Sequence, residues 1–128
     1  QHVLEPLYGY LLLAKFLKGN IPINGEAFNF GPNADQVFNV TDVAEILKRY
    51  PSDFTWNLDS EKNSILYESK LLALDITKAK QDLNWSPKLS IDETFRLTAE
   101  WYENFYATKR ENIFNFTTNQ IEYFSNQL

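Results

Sequence analysis

The chain has 128 residues, 44% hydrophobic and 16% aromatic, with no cysteine, one histidine, a formal net charge of -5 and a pI of about 4.8. These figures suit one globular domain with ample apolar surface, and they exclude a disordered chain, a disulfide framework, a thiolate metal site and a thiol nucleophile. The acidic balance, without clustered Lys and Arg, argues against a nucleic-acid partner, and the longest apolar run, Leu11-Leu12-Leu13-Ala14, is far too short to span a bilayer, so no membrane partner is expected.

From Leu4 to Lys18, Leu4, Leu7, Tyr8, Leu11, Leu12 and Phe16 recur at spacings of three and four and predict a helix with one buried face. Tyr10, Leu13 and Leu17 widen that face, so the helix is expected to be sandwiched between neighbours. Pro6 is tolerated near its start, and Gly19-Asn20 predicts a left-handed stop. Glu26-Ala27-Phe28-Asn29-Phe30 reads as a short strand ended by Gly31-Pro32. Asn39 or Thr41 caps a helix to about Arg49, with Val43, Ile46 and Leu47 inward. Phe54-Thr55-Trp56 and Leu71-Leu72-Ala73-Leu74 are the second and third strand candidates, flanking a polar surface loop over 58–64.

Asp75 is placed to cap a helix over 76–83, which Asn84-Trp85-Ser86-Pro87 ends. Ser90-Ile91-Asp92-Glu93 is a capping box for a long helix carrying Phe95, Leu97, Thr98, Trp101, Tyr102 and Phe105. The stretch from Asn112 to Leu128 predicts a last helical turn packed back on the body. The expected fold class is α+β, mainly helical, with two or three short strands.

Catalytic patterns are missing from this sequence. Gly9, Gly19, Gly25 and Gly31 are too scattered to form a phosphate cradle. His2, alone, rules out multi-histidine metal sites, and no Tyr-x-x-x-Lys pair occurs; Tyr106 and Arg110 come nearest, on a solvated helix end. The carboxylate pairs Asp92/Glu93 and Asp59/Glu61 sit where acids serve helix starts and surface loops. Trp56, Trp85 and Trp101 read as core residues before they read as a sugar-stacking platform.

The opening stretch Gln1-His2-Val3-Leu4-Glu5-Pro6-Leu7-Tyr8-Gly9-Tyr10-Leu11 resembles a hallmark segment of bacterial CDP-glucose 4,6-dehydratases, in the extended short-chain dehydrogenase/reductase family. In order along the chain, Ala27-Phe28-Asn29-Phe30-Gly31-Pro32, Trp56 with Asp59, and Glu68-Ser69 followed by Leu72, Leu74 and Asp75 are similar to further motifs of that family. So are Lys78-Ala79 with Leu83-Asn84-Trp85-Ser86-Pro87, Thr94 with Ala99-Glu100-Trp101-Tyr102, and the tail from Phe116 to Tyr123. The Asp75 to Pro87 pattern is shared across nucleotide-sugar epimerases and dehydratases, whereas the opening, Glu68-Ser69 and Gln120-Ile121 point to the CDP-glucose branch.

The resemblance implies that residues 1–128 form a single carboxy-terminal, substrate-binding portion of a cytoplasmic lyase whose NAD-binding Rossmann domain and catalytic residues lie upstream. The whole enzyme would oxidise CDP-glucose at C4, eliminate water across C5 and C6 and return hydride to C6; this portion would bind no NAD, hold no catalytic residue and be inactive alone. It implies a homo-oligomer working in polysaccharide biosynthesis. Glu68 matches an acidic position that in related epimerases accepts hydrogen bonds from ribose hydroxyls, work suited to two carboxylate oxygens. Ile65 stands where those epimerases place a phosphate-binding Arg. His2 and Asn29 are the other substrate-contact candidates, each with a competing packing role. The alternatives are another nucleotide-sugar dehydratase or epimerase, or a non-catalytic scaffold that keeps the fold.

Overall fold

A computed structural model of the chain describes residues 1–19, 21–34, 38–50, 55, 73–107 and 111–128. Five α-helices follow one another: α1 (Leu4–Leu17), α2 (Val40–Leu47), α3 (Thr77–Leu83), α4 (Ile91–Ala107) and α5 (Ile113–Ser125), with a 3₁₀ turn at Ile21–Ile23. α1 packs on α3 and on the 3₁₀ turn, while α4 packs on both α2 and α5.

The helix ends follow local chemistry. Asn39 caps α2 by accepting from the Asp42 N–H at 2.9 Å, and Asp42 returns the bond to the Asn39 N–H at 3.1 Å. Asp75 Oδ1 accepts from the Thr77 N–H at 2.9 Å, and the Thr77 side chain first, then that N–H, hold its carboxyl below the ordinary carboxylate range. Asn84 ends α3 in the left-handed region, with φ 52°. Ser90 and Glu93 close the expected box at the start of α4, the Ser90 N–H donating to Glu93 Oε2 at 2.9 Å and the Glu93 N–H to Ser90 Oγ at 3.2 Å. Of the expected Gly19-Asn20 stop, Gly19 is not left-handed and Asn20 lies outside the described residues. α1 closes instead on the tighter i→i−3 bond from the Gly19 N–H to the Phe16 carbonyl.

The expected α+β class is corrected here: among the described residues there are helices and no strand. The 26–30 segment is non-helical and lies beside the likewise non-helical 73–76 segment. The Asn29 side-chain amide donates to the Asp75 carbonyl at 3.2 Å, and Gly31 packs on Leu74. The two are joined through a side chain and apolar contact, not through backbone hydrogen bonds. Aromatic alternation predicts non-helical chain, but a strand exists only when a partner completes the ladder. Of the 54–56 candidate only Thr55 is described, and of the 71–74 candidate only Ala73 and Leu74. The last element is also longer than expected, a 13-residue helix in place of a turn.

One core cluster joins Ile23, Phe30, Ile76, Ala79, Leu83 and Trp85 beneath Tyr8, Leu12 and Phe16 of α1; a second joins Leu89, Leu97 and Phe124. Tyr8 touches both. Gly9 lets α1 approach Phe30, since a Cβ there would stand 2.5 Å from the ring. The opposite side of α1 carries Leu7, Leu11 and Leu17 in exposed positions, with Val3 exposed just ahead of it, while Tyr10, partly exposed, leans edge-on against Phe30, so the sandwiching expected from its apolar character is not met among the described residues.

Candidate functional site

Two clefts share Gln1 as a wall. The larger, of about 380 Å³, lies between the start of α1 and the facing sides of α4 and α5, with His2, Trp101, Tyr102, Thr117 and Gln120 on its walls. The smaller, of about 220 Å³, lies among Pro32, Asn33, Phe38, Leu74 and Phe95. The first is within the size range of small-molecule sites and mostly apolar; the second is smaller and more mixed.

His2 is buried, 6% exposed, and its Nδ1 accepts from the Leu4 N–H at 3.3 Å. Burial lowers its pKa below the ordinary value of 6.5, because it disfavours the charged ring. A neutral imidazole whose Nδ1 accepts carries its proton on Nε2, which makes His2 a hydrogen-bond donor on the wall of the larger cleft. Beside it, Gln120 is anchored by its amide, which donates to the Leu97 carbonyl at 2.8 Å, and the Trp101 indole donates to the Thr117 hydroxyl at 2.9 Å. This wall is pre-ordered.

Asn29 lines neither cleft, and its amide is committed to the Asp75 carbonyl. It ties the loop after Phe30 to the chain leading into α3. Lys80 reaches across to the same loop, donating to Asn33 Oδ1 at 3.0 Å on the rim of the smaller cleft. Glu68 lies outside the described residues, as do Ile65, Trp56 and Asp59. The structure therefore places His2 and Asn29 apart, one at a cleft wall and one as a loop tie.

Sequence reasoning passed over Glu5. It is the most deeply buried acid among the described residues, 2% exposed, and its Oε1 accepts from the Lys88 and Leu89 N–H groups at 2.8 Å each. The Trp85 indole donates to the Glu5 carbonyl at 3.3 Å, so the residue holds the turn before α4 against α1 twice. The available signal was its position: Glu5 precedes Gly9 and Leu12 on the inward side of an otherwise apolar helix.

The remaining shifted groups serve structure. Glu93 is held down to about 2, chiefly by the Tyr123 hydroxyl, then by Ser90. The Lys78 ammonium is raised mainly by Asp82, at 3.0 Å, with Glu26 at 3.4 Å. Among the described residues no three His, Asp or Glu side chains gather to hold a metal ion. Gly9 packs against Phe30 and Gly31 against Leu74, and Gly25, with φ 83°, sits in a turn. No helix among the described residues is long and apolar enough to cross a membrane.

No protein-family model matches the chain, and no solved structure matches it. It is similar to the CDP-glucose 4,6-dehydratase of Salmonella typhimurium, with 33% identity over 104 residues. Those residues are 80% of this chain but 28% of the dehydratase, so the chain spans less than a third of the relative's length. The match indicates a partial relationship at a coarse level.

Proposed function

We propose that this chain is the substrate-holding, carboxy-terminal part of a nucleotide-sugar 4,6-dehydratase acting on CDP-glucose. The observation that carries the reading is the identity to such an enzyme across four-fifths of the chain. A coherent division of labour supports it. The described residues offer ordered cleft walls, a neutral histidine donor and aromatic surface. Binding belongs here, and the C4 oxidation, loss of water and hydride return belong to NAD and catalytic residues elsewhere in the larger enzyme. Glu68 is assigned the ribose hydroxyls, and the neighbourhood of Gln1 and His2 the wall over which the substrate lies.

The test uses the complete reading frame that encodes this chain. Expressed whole and supplied with CDP-glucose, the protein is expected to form a 4-keto-6-deoxy sugar nucleotide, seen by NMR. CDP should compete better than UDP, dTDP or GDP. Absence of turnover with every nucleotide-glucose would overturn the reading, and preference for another nucleotide would move it to a sister enzyme. The 128-residue chain alone is expected to show no heat of NAD binding; micromolar affinity would contradict the division of labour.

A further inference from the structure

Glu5 has one oxygen satisfied twice and the other not at all. Its Oε1 takes both the Lys88 and Leu89 N–H groups, whereas Oε2 is the buried side-chain atom left without a protein partner among the described residues. An ionised carboxylate offers about four acceptor positions. A bare buried acceptor is costlier than a formed hydrogen bond is stabilising, so the surrounding structure is expected to answer it.

A cavity of about 20 Å³ adjoins the group, walled by Glu5, Gln1, Thr94, Pro32, Pro87 and Ile91. That volume admits one water molecule, for which roughly 10–15 Å³ suffices. The lining supplies the two or more polar partners that a buried water requires: the Glu5 carboxylate, the buried Thr94 and Gln1. Glu5 stands on α1, Thr94 on α4, and Lys88 and Leu89 in the turn between α3 and α4.

We propose that this cavity binds a single structural water, which donates to Glu5 Oε2 and shares a hydrogen bond with the Thr94 hydroxyl. Glu5 with its water then forms a three-way joint linking α1, α4 and the Lys88–Leu89 turn. Gln1 borders this cavity and both larger clefts, so the joint also sets the wall that those clefts share. The inference holds whichever substrate the clefts take, because it rests on the carboxylate and its cavity alone.

Crystals of the 128-residue chain, grown in sodium chloride and again in rubidium chloride, decide the occupant. The expected result is an isolated oxygen peak about 2.8 Å from Glu5 Oε2 with no anomalous signal in rubidium. A dry cavity, a side chain filling it, or a rubidium signal marking a cation would each overturn the proposal. Amide exchange provides a solution readout on Leu89, whose N–H donates to Glu5. Thr94→Val, which removes the hydroxyl at nearly constant size, is expected to speed that exchange roughly tenfold, while Thr94→Ser leaves it near the parent rate. Equal rates in all three proteins would show that the hydroxyl anchors nothing there.

Discussion

The corner around Trp85 and the pair α4–α5 touch through the edge-to-face contact of Tyr8 with Phe124, at 6.3 Å between ring centroids, yet they are held in different ways. The corner is held by groups distant in sequence. Trp85 is fully buried, packs edge-to-face on Phe30 at 5.0 Å and bonds Glu5 eighty residues away. The pair is held by nearer partners: Gln120 to Leu97, Trp101 to Thr117, and Tyr123 to Glu93. Its outer aromatics, Tyr102 and Tyr106, remain exposed. Deep burial across long sequence separation makes the corner the part that opens only on global unfolding, whereas α5 can leave α4 in a smaller, local step.

Removing Trp85 is the most severe way to break the contrast. Trp85→Ala is expected to cost about 3–5 kcal/mol in urea denaturation, against roughly 1–2 kcal/mol for the half-buried Trp101→Ala. Equal losses would dissolve the distinction. Gly9→Ala comes next: the added methyl meets the Phe30 ring, and a loss of about 1–3 kcal/mol is expected, with the change in near-UV signal confined to the corner.

Acid sharpens the contrast from the other side. The Glu93 pKa is depressed from 4.5 to about 2 by Tyr123 and Ser90, so its contribution is fully present above about pH 4.5 and is lost as pH falls through about 2. Solvent screening of this surface carboxylate keeps the effect well below what the full shift would imply. Tyr123→Phe should raise the Glu93 pKa toward 4.5 and flatten the stability slope over that window, with α5 amides responding before those of α3. NMR titration of the Glu93 carboxyl checks the shift; an unmoved pKa would show that the tyrosine bond contributes little.

The smallest stability change is expected on the outer face of α1. Leu11→Glu, at a side chain 72% exposed, should alter folding by no more than about 0.5 kcal/mol while reducing self-association in sedimentation, because Val3, Leu7 and Leu11 form a bare apolar strip. Unchanged association would remove that strip as the contact between copies.

Much of the helical layout was legible because it depends on neighbours in sequence. The α4 box needs only Ser90 and Glu93, and the Asp75 cap needs only an acid ahead of a helical stretch. Periodicity also located α1, from Leu4, and placed Leu4, Tyr8, Leu12 and Phe16 inward as found, but it counted Leu7 and Leu11 with them, which are exposed, and left out Glu5 and Gly9, which are buried. An apolar stripe records which side chains prefer burial, whereas the available neighbours select among them. The strand expectations failed for a related reason: a ladder is a property of two segments, and a run such as Ala27-Phe28-Asn29-Phe30 carries information about one. Of the site candidates among the described residues, His2 is the one on a cleft wall, and its neutral state and protonated Nε2 required knowledge of its burial and of the Leu4 N–H.

The sequence by itself thus determined what is local: the caps of α2 and α4, the turn at Asn84, and the lack of thiol or multi-histidine chemistry. Tertiary structure alone decided that Glu5 is a buried joint, that Asn29 is a loop tie, and that Gln1 walls two clefts. Those outcomes depend on groups up to 84 residues apart, such as Glu5 and Leu89, whose meeting is set by packing and by the need to satisfy buried polar atoms.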